Sequence, residues 1–238
     1  MNIYVTGIYK GCGKTFISAG IAAVMQSLGY KASVYKPIQT GAIDKGKYLI
    51  SPDLTFVKML DSYITTHSTY MFSSSTLPVI SAKFENIKIS ISEIKKDYTD
   101  LKKKTDVVIV EASSSLLSPL DDNLFSYNIP LELNLPVVFV INPSNDSVAN
   151  YLSELYTAKA LGLDILGVII NKFPVYSDSQ EIKLFPEIIE KYSEAGVLGL
   201  IRKFRGNAVN SNILINEILN GIDIEDLFRI KIPKLNMY

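Results

Sequence analysis

The chain has no tryptophan, one cysteine and one histidine. A single Cys12 excludes an intramolecular disulfide framework and a cysteine-rich metal centre. The lone His67 sits in a Ser/Thr-rich stretch with no second His or Cys nearby, so neither a metal site nor a Ser-His triad is supported; it reads as a surface residue. Net charge is lacking too. Lys plus Arg and Asp plus Glu each number 24, so no global field draws nucleic acid or an anionic membrane. The one basic run, Lys102-Lys103-Lys104, reads as a helix C-terminus, where cations favour the dipole. No uncharged apolar run approaches the ~18 residues of a membrane span. "MNIYVTG" has neither the charged region nor the long apolar stretch of a secretory signal. The expectation is a cytoplasmic protein with no nucleic-acid or membrane partner.

What is present is ordinary globular material, 47% hydrophobic and 20% charged over 238 residues. Residues 2 to 6 are β-rich and lead into a glycine loop. Phe16, Ile17, Ile21, Val24, Met25 and Leu28 then follow at helical spacing up to Gly29. A second short strand covers 32 to 38. Four further apolar runs, 106 to 112, 135 to 142, 165 to 171 and 196 to 201, are too short for helices and read as buried parallel strands. Helical stretches fall near 90 to 104, 146 to 161, 180 to 195 and from about 210. Residues 42 to 89 are the irregular part, with one helix starting after Pro52. This alternation predicts an α/β fold: one doubly wound, mostly parallel sheet with helices on both faces. No internal repeat or Gly/Pro-rich linker divides the chain, so residues 1 to 238 are expected to form a single domain.

"TGIYKGCGKT" (6 to 15) connects the first strand to the first helix, the context a phosphate loop needs. Gly11 and Gly13 permit backbone angles that turn N–H groups inward, and the helix N-terminus favours an anion. Lys14 would reach the β- and γ-phosphates, and Thr15 would place its hydroxyl on Mg²⁺. The loop is one residue longer than the usual spacing, since Gly7 lies six residues before Gly13. Cys12 reads as a small apolar filler facing the core. Lys10 is either a solvated loop lysine or an extra cation facing phosphate.

A second lysine and two carboxylates lie at other strand ends. In "YKPIQTG" (35 to 41), Pro37 restricts Lys36 to an extended backbone over the crevice, and Thr40 offers a hydroxyl. Asp53 follows Pro52 at a helix start, where it could equally serve the helix end. Glu111 ends the apolar run "VVIVE". Thr15, Asp53 and Glu111 together make an oxygen set suited to Mg²⁺. Asn171, at another strand end, reads either as a cap or as a reader of a purine edge.

These residues resemble the dethiobiotin synthetase family. The likeness is carried by T-G-(five residues)-G-K-T, by "YKPIQTG", and by "SPDLTFV", "YMFSSSTLPVISA" and "DVVIVEASSSLLSPL"; "ILGVIIN" and "VLGLI" complete it over nearly the whole chain. The resemblance implies a homodimeric ligase that uses ATP, CO₂ and Mg²⁺ to close a urea ring on the diamine 7,8-diaminononanoate. It implies that Lys14, Lys36 and Thr40 act on the reacting groups. Thr15, Asp53 and Glu111 would hold Mg²⁺. Lys10, Gly11, Cys12, Gly13, Lys14, Thr15 and Phe16, with Asn171 at adenine, would contact the nucleotide. The departures concern substrate recognition more than ATP. Lys10 replaces a hydroxyl-bearing residue, and Ala112-Ser113-Ser114-Ser115 replaces G-A-G-G. "SNDSVAN" (144 to 150) replaces a segment that binds the diamine carboxylate across the dimer, and its Asp146 would repel one. "IRKFRG" (201 to 206) replaces a proline-containing nucleotide turn and supplies Arg202 and Arg205 for phosphate or carboxylate. A related ligase acting on another carboxylate is a second reading. A partitioning-type switch ATPase is a third, disfavoured because its extra lysine is Tyr9 here.

Overall fold

Seven strands pair side by side in a computed structural model that describes residues 1–203 and 210–231. They are β1 (Asn2–Thr6), β2 (Ala32–Tyr35), β3 (Thr65–His67), β4 (Val107–Glu111), β5 (Val137–Ile141), β6 (Ile165–Phe173) and β7 (Val197–Arg202). Their order across the sheet is β7-β6-β5-β1-β4-β2-β3, and every pairing is parallel. The neighbours β1 and β5 send their connections in opposite directions, to β2 and to β6. That reversal opens a crevice at the carboxyl ends of the strands.

Alternate residues of each central strand feed two cores. Ile3, Val5, Ile109, Val138 and Val140 pack under α1 (Lys14–Ser27), α2 (Pro52–Leu60) and, beyond residue 210, α8 (Ser211–Gly221) and α9 (Ile224–Phe228). Tyr4, Val108, Val110, Val137 and Phe139 face the opposite layer. That layer comprises α4 (Ile91–Lys104), α5 (Asn128–Leu133), α6 (Val148–Ala160) and α7 (Gln180–Ser193), with α3 (Pro78–Phe84) at one end. Burial on both faces explains why the strands carry continuous apolar runs rather than alternation. The doubly wound α/β arrangement expected from the sequence is present.

The irregular segment holds more order than its composition suggests. Ser51 caps α2 by accepting from the Leu54 N–H at 3.1 Å, with Pro52 in the first turn. Thr65–His67 is the seventh strand, at the sheet edge; three polar residues carry no apolar signal. Residues 32 to 38 are not one strand. Pro37 lacks an N–H, β2 stops at Tyr35, and Ile38–Thr40 continues in a separate parallel pair with Tyr70–Phe72. His67 is half-exposed, as a surface residue should be, but it also bonds Asp97 at 2.9 Å and stacks on Tyr35. Arg205 lies outside the described residues.

At the far edge, Gly199 of β7 sits against the end of α8. A Cβ there would lie 2.1 Å from the Gly221 carbonyl oxygen, a backbone atom that cannot swing away. Gly199→Ala is expected to lose about 1–3 kcal/mol in urea unfolding. Gly196→Ala, which points into open space, should stay within about 0.5 kcal/mol.

Candidate active site

The loop between β1 and α1 is held from beneath by β6. The Asn171 side-chain amide donates to the Cys12 carbonyl at 2.9 Å and accepts from the Lys172 N–H at 2.9 Å. Lys172 Nζ donates to the Gly11 carbonyl at 2.8 Å. Two loop carbonyls are thereby occupied by β6 groups, while the first N–H groups of α1 have no partner within the helix. Negative dipole ends point away from the site and positive ones remain for an anion. Gly13 makes the close approach possible. Its φ is 103°, and a Cβ would fall 2.0 Å from Asn171 Nδ2.

The other side of the loop is held through Tyr9, whose hydroxyl meets that of Tyr151 on α6 and donates to the Asn142 carbonyl at 3.2 Å. Burial pushes the Tyr9 and Tyr151 phenols up, so both are neutral hydrogen-bonding groups at ordinary pH. Lys14 is buried, with its Nζ donating to the Tyr9 carbonyl at 3.1 Å.

Four elements contribute to a charged cluster beside the loop. Glu111, at the carboxyl end of β4, is 1% exposed, and its Oε1 accepts from Thr15 Oγ1 at 2.7 Å and from Lys36 Nζ at 2.8 Å. Lys36 lies just past β2 and is 4% exposed; it also pairs with Asp53 in the first turn of α2. Its backbone N–H still donates to the His67 carbonyl at 2.9 Å, which keeps it extended before Pro37. Burial acts to lower the Lys36 pKa, but Glu111 and Asp53 together outweigh it and leave it above the ordinary lysine value. Lys36 is therefore a cation at neutral pH.

Glu111 Oε2 is buried with no hydrogen-bond partner. A charged oxygen in that condition is costly unless something binds it. The Asp53 carboxylate, the Thr15 hydroxyl and the Glu111 carboxylate with its orphaned oxygen fit a hard, oxygen-loving ion that also keeps water and phosphate ligands. Among the described residues no group of three or more His, Cys, Asp or Glu gathers as a metal cage. A Mg²⁺ site shared with a nucleotide does not need one.

The cluster, Lys36 included, forms one wall of a cavity of about 410 Å³, with Lys10 and Lys14 from the loop and Thr40, Ser113 and Ser114 among its hydroxyl-bearing lining. Residues 75 to 78, from the loop leading to α3, close another side. Of the residues singled out in the sequence, Lys10, Gly11, Gly13, Lys14, Thr15, Lys36, Thr40, Asp53 and Glu111 all border this space. Three do not. The Cys12 side chain is fully buried in the core, Phe16 packs against that core, and the Asn171 amide lies under the loop.

A second cavity of about 740 Å³ begins next to Lys172, lined by Phe173, Pro174, Tyr176 and Arg202. Arg202 forms a two-pronged pair with Glu217 of α8. Lys172, Gln39 and Tyr151 were not apparent as site residues from the sequence. Lys172 adjoins Asn171 at a strand end, a usable signal. Gln39 accepts from Ser51 Oγ at 2.6 Å and donates to the Thr40 carbonyl at 2.7 Å, a bond that no local pattern announces.

A strand, a glycine loop, Lys-Thr and a helix on a parallel sheet, with carboxylates at neighbouring strand ends, define a P-loop nucleotide-binding protein. The AAA domain family model matches residues 1–205. Among solved structures, the MinD cell division protein of Aquifex aeolicus superposes with a TM-score of 0.56 at 14% identity, covering 98% of both chains. The septum site-determining protein MinD of Pyrococcus horikoshii, complexed with Mg-ADP, gives 0.55 at 18% identity, covering 86% of this chain and 82% of its own. At those identities they establish the fold. Curated relatives are more specific. The ATP-dependent dethiobiotin synthetase BioD of Caldicellulosiruptor bescii is 30% identical over 75% of this chain and 76% of its own length. That of Clostridium perfringens is 27% identical over 93% and 99%, and that of Bacillus subtilis 24% over 91% and 98%. The chain belongs to the dethiobiotin synthetase family, whose members are ATP-dependent ligases.

Because Gly13 is wedged against Asn171, Gly13→Ala is expected to weaken ATP binding by about tenfold or more in calorimetric titration. Gly46 also has a positive φ, 79°, but a Cβ added there would meet nothing within 4 Å. Gly46→Ala should leave ATP affinity unchanged, which separates a loop-specific effect from backbone strain alone.

Proposed function

We propose that the chain catalyses ATP- and Mg²⁺-dependent closure of 7,8-diaminononanoate with CO₂ to dethiobiotin, releasing ADP and phosphate. The observation that carries this reading is the pair of buried lysines, Lys14 and Lys36, bordering one cavity with Glu111 and Asp53. Family membership supplies the reaction type.

One substrate amine adds to CO₂ and loses a proton, giving a carbamate. A carbamate oxygen attacks the γ-phosphorus of ATP and ADP leaves. The second amine then attacks the carbamoyl carbon, and phosphate departs as the urea ring closes. The difficulty in the middle step is electrostatic, since carbamate and γ-phosphate are both anions. Lys14 is assigned to the transferring phosphoryl group and Lys36 to the carbamate and phosphate oxygens, where cations in a dry site are worth most. Thr40 is assigned to the diamine. Thr15, Asp53 and Glu111 would hold Mg²⁺, which when bound neutralises charge on the β- and γ-phosphates.

Lys10, Gly11, Cys12, Gly13 and Thr15 cradle the phosphates, Cys12 through its backbone, and Phe16 supports the first turn of α1. The adenine is assigned to the larger cavity on the β6 side of the loop; Asn171, which the family resemblance would put at the adenine edge, is buried beneath the loop with its amide engaged by Cys12 and Lys172. Residues 1 to 238 are taken as a single ATP-binding domain acting on small-molecule substrates in the cytoplasm as a homodimer.

Incubation with ATP, Mg²⁺, bicarbonate and 7,8-diaminononanoate should yield ADP and a cyclic urea in equal amounts. ADP release that ignores the diamine would refute the reaction. Lys36→Ala should lower turnover by about 10²–10³-fold or more with ATP affinity kept within a few fold; Lys14→Ala should lose both.

A further inference from the structure

Lys36 Nζ lies where a cation shared by Asp53 and Glu111 would lie. It contacts Asp53 Oδ2 and stands 2.8 Å from Glu111 Oε1, the oxygen that also accepts from Thr15. These three groups are the ones that would hold a divalent ion. A hydrogen-bonded ammonium and an ion at about 2.0–2.1 Å from the same oxygens cannot occupy the same gap, and their like charges repel at that range. Neither can the gap be left without a cation: Glu111 is 1% exposed and, without one, would carry uncompensated charge in a buried setting, with the partly exposed Asp53 carboxylate adding like charge beside it.

We propose that Lys36 is the resident counter-cation of the Asp53–Glu111 pair and is exchanged for the divalent ion, so that its ammonium is released into the cavity only as the ion is loaded. This rests on the metal assignment made above and adds an order of events to it. The lysine backbone need not move. Its N–H is fixed to the His67 carbonyl and Pro37 holds it extended, while the four-carbon stem lets the ammonium swing. The space it would enter is the cavity bordered by Thr40, Ser113 and Ser114, and the Ser114 hydroxyl is itself buried with no partner. The orphaned Glu111 Oε2 gives the incoming ion a ligand that the lysine does not use. An enzyme built this way keeps its second cation masked while the ion is absent, and presents two cations to the reacting anions once the ion has arrived.

The test is Mn²⁺ binding by electron paramagnetic resonance on the full chain without nucleotide, with a crystal structure soaked in Mn²⁺. Lys36→Met is expected to tighten Mn²⁺ by ~10-fold, since no ammonium has to leave first. Lys14→Met removes an equal charge from the same cavity without touching the carboxylates, and should change affinity less than about threefold. Lys36→Gln repeats the measurement if Met disturbs folding, as judged by circular dichroism. In the soaked wild-type crystal the ion should sit on Asp53, Glu111 and Thr15, with Lys36 no longer in contact with Glu111. An ion bound there with Lys36 still bonded to Glu111, or equal tightening in both lysine variants, overturns the exchange and leaves the metal assignment intact. No Mn²⁺ at these carboxylates in the wild type or in either Lys36 variant overturns the metal assignment and the exchange with it.

Discussion

The Glu111 carboxylate is the point on which the rest of the site depends. It ends a strand buried on both faces, and so is placed by the core rather than by a loop. One of its oxygens gathers Thr15 from α1 and Lys36 from beyond β2, and through Lys36 also Asp53 from α2. Three separate stretches of chain thereby meet at one buried charge. Such a carboxylate is tolerated only because cationic and hydroxyl partners converge on it.

The sheet explains why convergence happens here. β4 lies between β1 and β2, so the loop after β1 and the lysine after β2 approach Glu111 from its two sides. β6 lies on the other flank, two places from β1, and supports the loop through Asn171 and Lys172. The carboxyl ends of four strands thus supply, in space, a phosphate loop, a carboxylate, a lysine and a support. The opposite winding of the connections after β1 and β5 keeps the crevice above them open.

Much of this was legible in the sequence because parallel strands buried on both faces write themselves as apolar runs. Glu111 and Lys36 stood out as charges ending such runs. Thr65–His67 did not, because an edge strand of three polar residues has no period to detect. The Pro37 break was visible, but its consequence, a separate strand pair with Tyr70–Phe72, depends on a distant partner. Asn171 illustrates a different limit. Its position at a strand end was readable, yet its bond to the Cys12 carbonyl joins residues 159 apart in the chain, and pattern within a window carries no trace of it. Tyr151 escaped for the same reason, whereas Lys172, next to Asn171 at a strand end, was readable by position and only its bond to Gly11 was not.

The Tyr9–Tyr151 contact ties the phosphate loop to the first turn of α6, whose opening residues are the end of the segment 144 to 150. The loop tip and that segment therefore form one mechanical unit, joined at the Asn142 carbonyl. Replacing either phenol removes one partner from the other's hydroxyl, which keeps its bond to the Asn142 carbonyl. A change at the start of α6 is therefore felt at the tip of the phosphate loop, although α1 and four further strands of the seven-stranded sheet separate the two in sequence.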